Sequence, residues 1–156
     1  MTAFTVVADT SGVLALIDKG ASQHTAAHAA VDHVAAAGWI LELVMTPLVL
    51  TELDYMVNQW GGGVDAELAF LDEVRRGTYT VAAWNDDDTA SAIDVVKQYR
   101  DMNIGLADAS NVVLASRYGT TTLFALDGHY RAIKPLTSGD AFRLLPADTD
   151  EVVNPT

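Results

Sequence analysis

Trp39-Ile40-Leu41-Glu42-Leu43-Val44-Met45-Thr46-Pro47 sets a short apolar run directly against a helix start. The first seven residues, bounded by a cap signal, read as a strand. Thr46 supplies an N-cap hydroxyl, and Pro47 suits the first helical position, where no backbone N–H is needed. That helix runs to Trp60, where Gly61-Gly62-Gly63 breaks it. A strand passing straight into a helix is the unit of an α/β fold, and the same unit recurs on both sides.

Upstream, residues 4–8 (Phe-Thr-Val-Val-Ala) read as a buried strand ending at Asp9. A short helix over 11–18 and an Ala-rich helix over 23–37 follow, with Gly38 as a C-cap. Downstream, helices are expected over 65–76, 86–100 and 108–118, the second with Asp86, Asp87 and Asp88 in its first turn, where the helix dipole favours them. Strands are expected over 78–83, 121–126 (terminating at Asp127) and 141–145. The alternation predicts a three-layer α/β/α sandwich with a mostly parallel central sheet. Residues 1–146 form one domain in this reading, and residues 147–156 a loose acidic tail.

A chain of 156 residues can bury a sizeable core without a second domain. Acids interrupt every apolar stretch before it could span a bilayer, and Met1 to Ala8 lacks the basic region and cleavage site of a signal peptide. Cysteine is absent, which excludes disulfides and thiolate metal sites. These features point to a cytoplasmic protein without membrane association. Nine Lys and Arg against 21 Asp and Glu leave a net charge of −12, the opposite of a nucleic-acid binder's usual basic footprint. Such a body favours basic partners.

Four acids stand at the edges of apolar segments: Asp9, Glu52, Asp108 and Asp127. Asp9 and Asp127 fall past strand ends, where ligands gather in parallel α/β sheets. Glu52 shares its helix face with Leu48, Val49, Tyr55 and Met56, a costly setting for an unpaired charge. Asp108 opens a helix that is otherwise almost wholly apolar. If they converge, four carboxylates repel one another unless cations intervene. Mg²⁺ prefers such oxygens, keeps several waters and takes phosphate oxygens as well, which gives hydrolytic phosphoryl chemistry without a Ser, Cys or His nucleophile.

Val7-Ala8-Asp9-Thr10-Ser11, Thr46-Pro47 through Glu52-Leu53, Leu106-Ala107-Asp108-Ala109 and Leu126-Asp127-Gly128-His129-Tyr130 together resemble the ordered acidic motifs of PIN domains, in the single-domain size of VapC-type toxins. The resemblance implies a Mg²⁺-dependent endoribonuclease, with Mn²⁺ as a substitute, that cuts tRNA, rRNA or mRNA. It further implies a homodimeric toxin of a type II toxin–antitoxin pair, held inactive by a small antitoxin with a basic segment. Asp9, Glu52, Asp108 and Asp127 would hold metal and activate water, with Ser11 as a polar neighbour. The chain departs from the pattern at Ala125, where the family often has Thr or Ser, and at His129, where a second acid can stand.

Other residues carry weaker signals. His129, Arg131 and Lys134 follow Asp127 closely enough to meet substrate phosphates. His24, His28 and His33 lie at helical spacings but lack a further metal ligand, so a helix face is expected. Two rival functions stay open. One is a haloacid-dehalogenase-type phosphatase, which needs a second Asp where Ser11 stands. The other is a degenerate PIN-like scaffold, for which Ala125 and the acidic surface speak.

Overall fold

A computed structural model describes residues 2–152. Five strands form one sheet: β1 (Thr2–Ala8), β2 (Trp39–Met45), β3 (Thr80–Val81), β4 (Thr122–Phe124) and β5 (Arg143–Leu145). The helices are α1 (Thr10–Ile17), α2 (His24–Ala36), α3 (Pro47–Trp60), α4 (Gly63–Arg75), α5 (Asp86–Gln98) and α6 (Leu106–Tyr118). The order across the sheet is β3-β2-β1-β4-β5, and every neighbouring pair is parallel.

Strand alternation divides the side chains between two cores. Val7 and Val44 pack with Val112 and Leu114 of α6 and Val95 of α5. Val6, Ala8, Leu43 and Met45 pack on the other face with Val13 of α1, Leu53 of α3 and Phe70 of α4. The expected three-layer α/β/α architecture is the observed one. β1 and β2 are paired from Thr2↔Trp39 to Val7↔Val44, whereas β1 meets β4 only at Val7↔Leu123 and Ala8↔Phe124. The chain winds outward through β2 and β3, then returns to the other flank of β1. The order therefore reverses between β1 and β4, and their carboxyl ends are where such sheets form a ligand crevice.

Thr46 behaves as expected of an N-cap, accepting from the Val49 N–H at 3.2 Å. The Ser110 hydroxyl donates to the Ala107 carbonyl at 2.6 Å, so its 2.9 Å bond with Thr46 uses the threonine's proton. This buried pair pins the start of α3 to the start of α6, the two helices that carry Glu52 and Asp108.

Several boundaries differ from expectation for identifiable reasons. β4 stops at Phe124 rather than 126, because the Leu126 N–H leaves the ladder and donates to the Ser11 hydroxyl at 3.0 Å. Asp127 therefore does not end the strand but caps a short 3-10 turn, Gly128–Ala132. α6 begins at Leu106 with Gly105 as its N-cap, so Asp108 sits in the first turn instead of opening the helix. β3 keeps two residues of the six expected.

The segment expected to hang loose from residue 147 is docked over 147–152. Asp148 accepts two bonds from the Arg131 guanidinium, at 2.9 and 2.8 Å, and one from the Leu144 N–H at 2.8 Å. Val152 is buried in the α1–α4 core. Residues 153–156 of that tail lie outside the described residues.

Gly12 sets how closely α1 approaches β4. A Cβ at this position would lie 2.1 Å from the Phe124 carbonyl oxygen, a backbone atom that cannot swing aside. Gly12→Ala is expected to destabilise the protein by about 3 kcal/mol and to lower Tm by roughly 5–10 °C. Calorimetry checks this, and an unchanged Tm would show that α1 is free to withdraw from the strand.

Candidate active site

Asp9 follows the last residue of β1 and is only 6 % exposed. Its own N–H donates to the Phe124 carbonyl at 3.0 Å, which closes the β1–β4 ladder. One carboxylate oxygen, Oδ1, accepts from Asn111 Nδ2 at 2.9 Å, and the other accepts from the Ser11 hydroxyl at 2.9 Å. Ser11 thus ties Asp9 to the start of the loop that leads to Asp127. Burial, with the negative charge of Asp108 next and Glu52 adding a smaller push, raises the Asp9 pKa from 3.8 to about 6. The Ser11 and Thr10 hydrogen bonds pull the other way without cancelling the rise. Among the described residues, no basic side chain offsets the charge.

Asp108 lies across the crevice on the first turn of α6. Its Oδ1 accepts from the Tyr130 hydroxyl at 3.3 Å, and its Oδ2 lies 3.6 Å from His129 Nε2. Asp127 is more open, with half its side chain exposed, and its Oδ1 accepts from the His129 backbone N–H and lies 2.6 Å from His129 Nδ1. His129 therefore stands between Asp127 and Asp108, with its ring 4.4 Å from that of Tyr130. Burial, together with Asp9 and Asp108, holds the Tyr130 phenol far above its ordinary pKa, so it stays a donor.

The structure thus gathers Asp9, Asp108 and, through its field, Glu52 at one sheet edge. Glu52 itself is exposed on α3, and Asp127 is joined to the group through His129. Among the described residues, no three His, Asp or Glu side chains are drawn together in metal-ligand geometry. Of the phosphate candidates, Arg131 is engaged by Asp148, while exposed Lys134 lies 3.8 Å from Asp140. His24 and His28 bond the Ala15 and Leu16 carbonyls, both at 2.8 Å, and so fasten α2 to the end of α1.

Two residues of this site were not picked out from sequence: Asn111 and Tyr130, both fully buried. Asn111 lies three residues after Asp108, on the same helix face, inside an otherwise apolar run. A lone amide in such a run was the signal available. Tyr130 offered only its position three residues after Asp127.

No protein-family model matches the chain. A curated protein, Ribonuclease VapC26 of Mycobacterium tuberculosis (strain ATCC 25618 / H37Rv), is 40 % identical over 142 residues, spanning 90 % of this chain and 100 % of the relative. Among solved structures, the chain is similar to M. tuberculosis VapC20, described as a toxin that cleaves the sarcin-ricin loop. The TM-score is 0.69 at 21 % identity, over 85 % of this chain and 98 % of that one. That second likeness bears on the fold.

The elevated Asp9 pKa has a consequence for stability. Between 3.8 and about 6 the folded protein holds a proton that the unfolded chain releases. Stability therefore falls as pH rises through this window, by on the order of 2–3 kcal/mol in total. Asp9→Asn keeps the shape and removes the charge. At pH 8 the metal-free variant is expected to be about 2 kcal/mol more stable than the wild type, with the gap closing toward pH 4. Urea unfolding at the two pH values tests this, and a less stable variant at pH 8 would mean the carboxylate is already compensated.

Proposed function

The chain belongs to the VapC-type PIN-domain ribonucleases, and on that premise we propose that its Asp9 crevice hydrolyses RNA phosphodiester bonds with the help of a divalent cation. The observation that carries this reading is Asp9 at the strand-order reversal, raised in pKa by burial first and then by Asp108 and Glu52, with no base balancing it among the described residues. Those residues fit Mg²⁺ or Mn²⁺ in kind. They offer hard carboxylate oxygens, an uncompensated negative field, and on Asp9 two oxygens that each accept one side-chain hydrogen bond and retain further lone-pair capacity. Asp9, Asp108 and Glu52 would hold the ion, with Asp127 as a further ligand from the rim. When bound, such an ion supplies charge stabilisation to the phosphate and a more acidic attacking water.

The chain's own residues set the rest. Ser11 and Asn111 hold the Asp9 carboxylate in a single orientation. His129 spans Asp108 and Asp127 at the open side, where a phosphate would approach. Lys134, held loosely at the surface, is freer to meet a phosphate than Arg131, whose guanidinium is forked onto Asp148. VapC20 is described as cleaving the sarcin-ricin loop, so rRNA belongs with tRNA and mRNA among the substrates to try.

As the toxin of a type II pair, the protein would be restrained by a small antitoxin with a basic segment. An apolar groove of about 640 Å³ between α1, α3 and α4 suits its docking. Leu14, Ile17, Met56, Trp60 and Phe70 line it. Trp60 is 72 % exposed and sits edge-on to exposed Tyr55, an arrangement that marks a partner surface more than a finished core. α1 and α3 run from the acids to this groove, Glu52 lying one to two turns before Met56 and Trp60. A partner seated there can extend its basic segment toward the acidic crevice.

Purified protein is expected to cut a mixed rRNA and tRNA pool into discrete fragments with Mg²⁺ and not with EDTA. Asp108→Asn should lower the rate on the order of 10²–10³-fold, as does loss of one electrostatic stabiliser, while Tm changes little. Equal rates for variant and wild type would remove Asp108 from the site. For the groove, Trp60→Ala should weaken antitoxin binding by about 30-fold or more, as for an aromatic anchor, measured by calorimetry. Unaltered antitoxin affinity together with lost self-association would assign the groove to the homodimer instead.

A further inference from the structure

A single amide reaches buried Asp9 directly, and half-buried Asp108 through Tyr130. Asn111 Nδ2 donates to Asp9 Oδ1 at 2.9 Å and to the Tyr130 hydroxyl oxygen at 2.9 Å. Because that oxygen accepts from Asn111, the tyrosine's own proton is directed to Asp108 Oδ1 at 3.3 Å. The opposite amide orientation would set the Asn111 oxygen against the Asp9 carboxylate, two acceptors face to face. The direction of donation is therefore fixed: both protons of one amide run toward acids, one directly and one through Tyr130.

Nothing in general core packing calls for this pair. Asn111 and Tyr130 are both 0 % exposed, and Asn111 Oδ1 is buried with no hydrogen-bond partner among the described residues. A buried amide with an unpaired oxygen is unfavourable as a mere filler. What the chain obtains from it is two donor contacts on carboxylates that come from different elements, Asp9 from the end of β1 and Asp108 from α6. Among buried groups such as Asn111 and Tyr130, linked hydrogen bonds strengthen one another.

We propose that Asn111 and Tyr130 are positioning residues that fix the Asp9 and Asp108 carboxylates relative to each other, so that the two act as one ligand pair for the divalent cation. This rests on the metal-site reading above. Tyr130 acts through Asp108; Asn111 acts on Asp9 directly and on Asp108 through Tyr130. Neither is asked to touch RNA.

The test is Mn²⁺ titration by electron paramagnetic resonance on wild type, Tyr130→Phe, Asp108→Asn and the double variant, with Tm measured alongside. Tyr130→Phe deletes one oxygen and keeps the ring. It should weaken Mn²⁺ binding by about tenfold, the low end for loss of a partner that orients a metal ligand. In the Asp108→Asn background the same change should add less than about twofold, since the residue through which it acts no longer contributes its charge. RNA cleavage by Tyr130→Phe should need more Mn²⁺ but recover most of its kcat at saturation, a split that a loss of folded protein would not give. Asn111→Ala probes the chain from its other end and should weaken Mn²⁺ binding at least as much. Wild-type affinity in both Tyr130→Phe and Asn111→Ala, with Asp108→Asn impaired, would overturn the positioning role and leave the metal site standing. No Mn²⁺ binding by folded wild type would overturn both.

Discussion

The placement of Asp9 governs the rest of the structure. It stands where the strand order reverses, and its N–H makes the last backbone bond between β1 and β4. That seam is short, with two residue pairs, so side chains must finish what the ladder leaves open. Ser11 does this by donating to Asp9 and accepting from Leu126, and Gly12 by letting α1 lie against the Phe124 backbone. The same contacts that close the seam bury a carboxylate among like charges. The cost of that charge is borne by the two cores on either side of the sheet.

The two core layers meet the site differently. α6, packed with α5 on one face, brings Asp108 and Asn111. α1 and α3, on the other face, bring Ser11 and Glu52. The Thr46–Ser110 bond joins the two sets across the sheet edge, and it is wholly buried. The site therefore depends on both layers being in place, although no acid is part of either apolar cluster. On the outer side of α1 and α3 lies the apolar groove. A partner there can contact the helices that carry part of the site without entering the core.

Much of this was legible because it is written in local chemistry. The strand over residues 39–45 and the helix beginning at Pro47 are set by a period-free apolar run, a cap hydroxyl and a proline, and the structure keeps those boundaries. The acids were visible as charges at apolar edges. What escaped was decided by tertiary contacts. The apolar run over 121–126 carries no sign that Ser11 will take the Leu126 amide. Asp108 was expected to open its helix, but Leu106 and Ala107 start it two residues earlier with Gly105 as the N-cap. The acidic tail gave no hint that Asp148 would accept from both Arg131 and the Leu144 backbone. Asn111 and Tyr130 lacked a charge to draw notice, and their importance comes only from what the fold sets beside them.

The use of the basic residues bears on how an acidic protein handles RNA. Arg75 and Arg76 are bound to Asp72, Arg117 to Asp88, and Arg131 to Asp148. These pairs remove four of nine positive side chains from service as free phosphate contacts, in a chain whose net charge is −12. Long-range repulsion therefore works against a polyanion, and non-specific binding, which rests on released counterions, has little to draw on. On the proposed reading, affinity would arise at short range, where Asp9 and Asp108 lie with His129 beside Asp108. A ribonuclease with this charge has little electrostatic basis for general RNA binding. The same charge that disfavours bulk RNA favours a basic partner, so one electrostatic property bears on both kinds of binding.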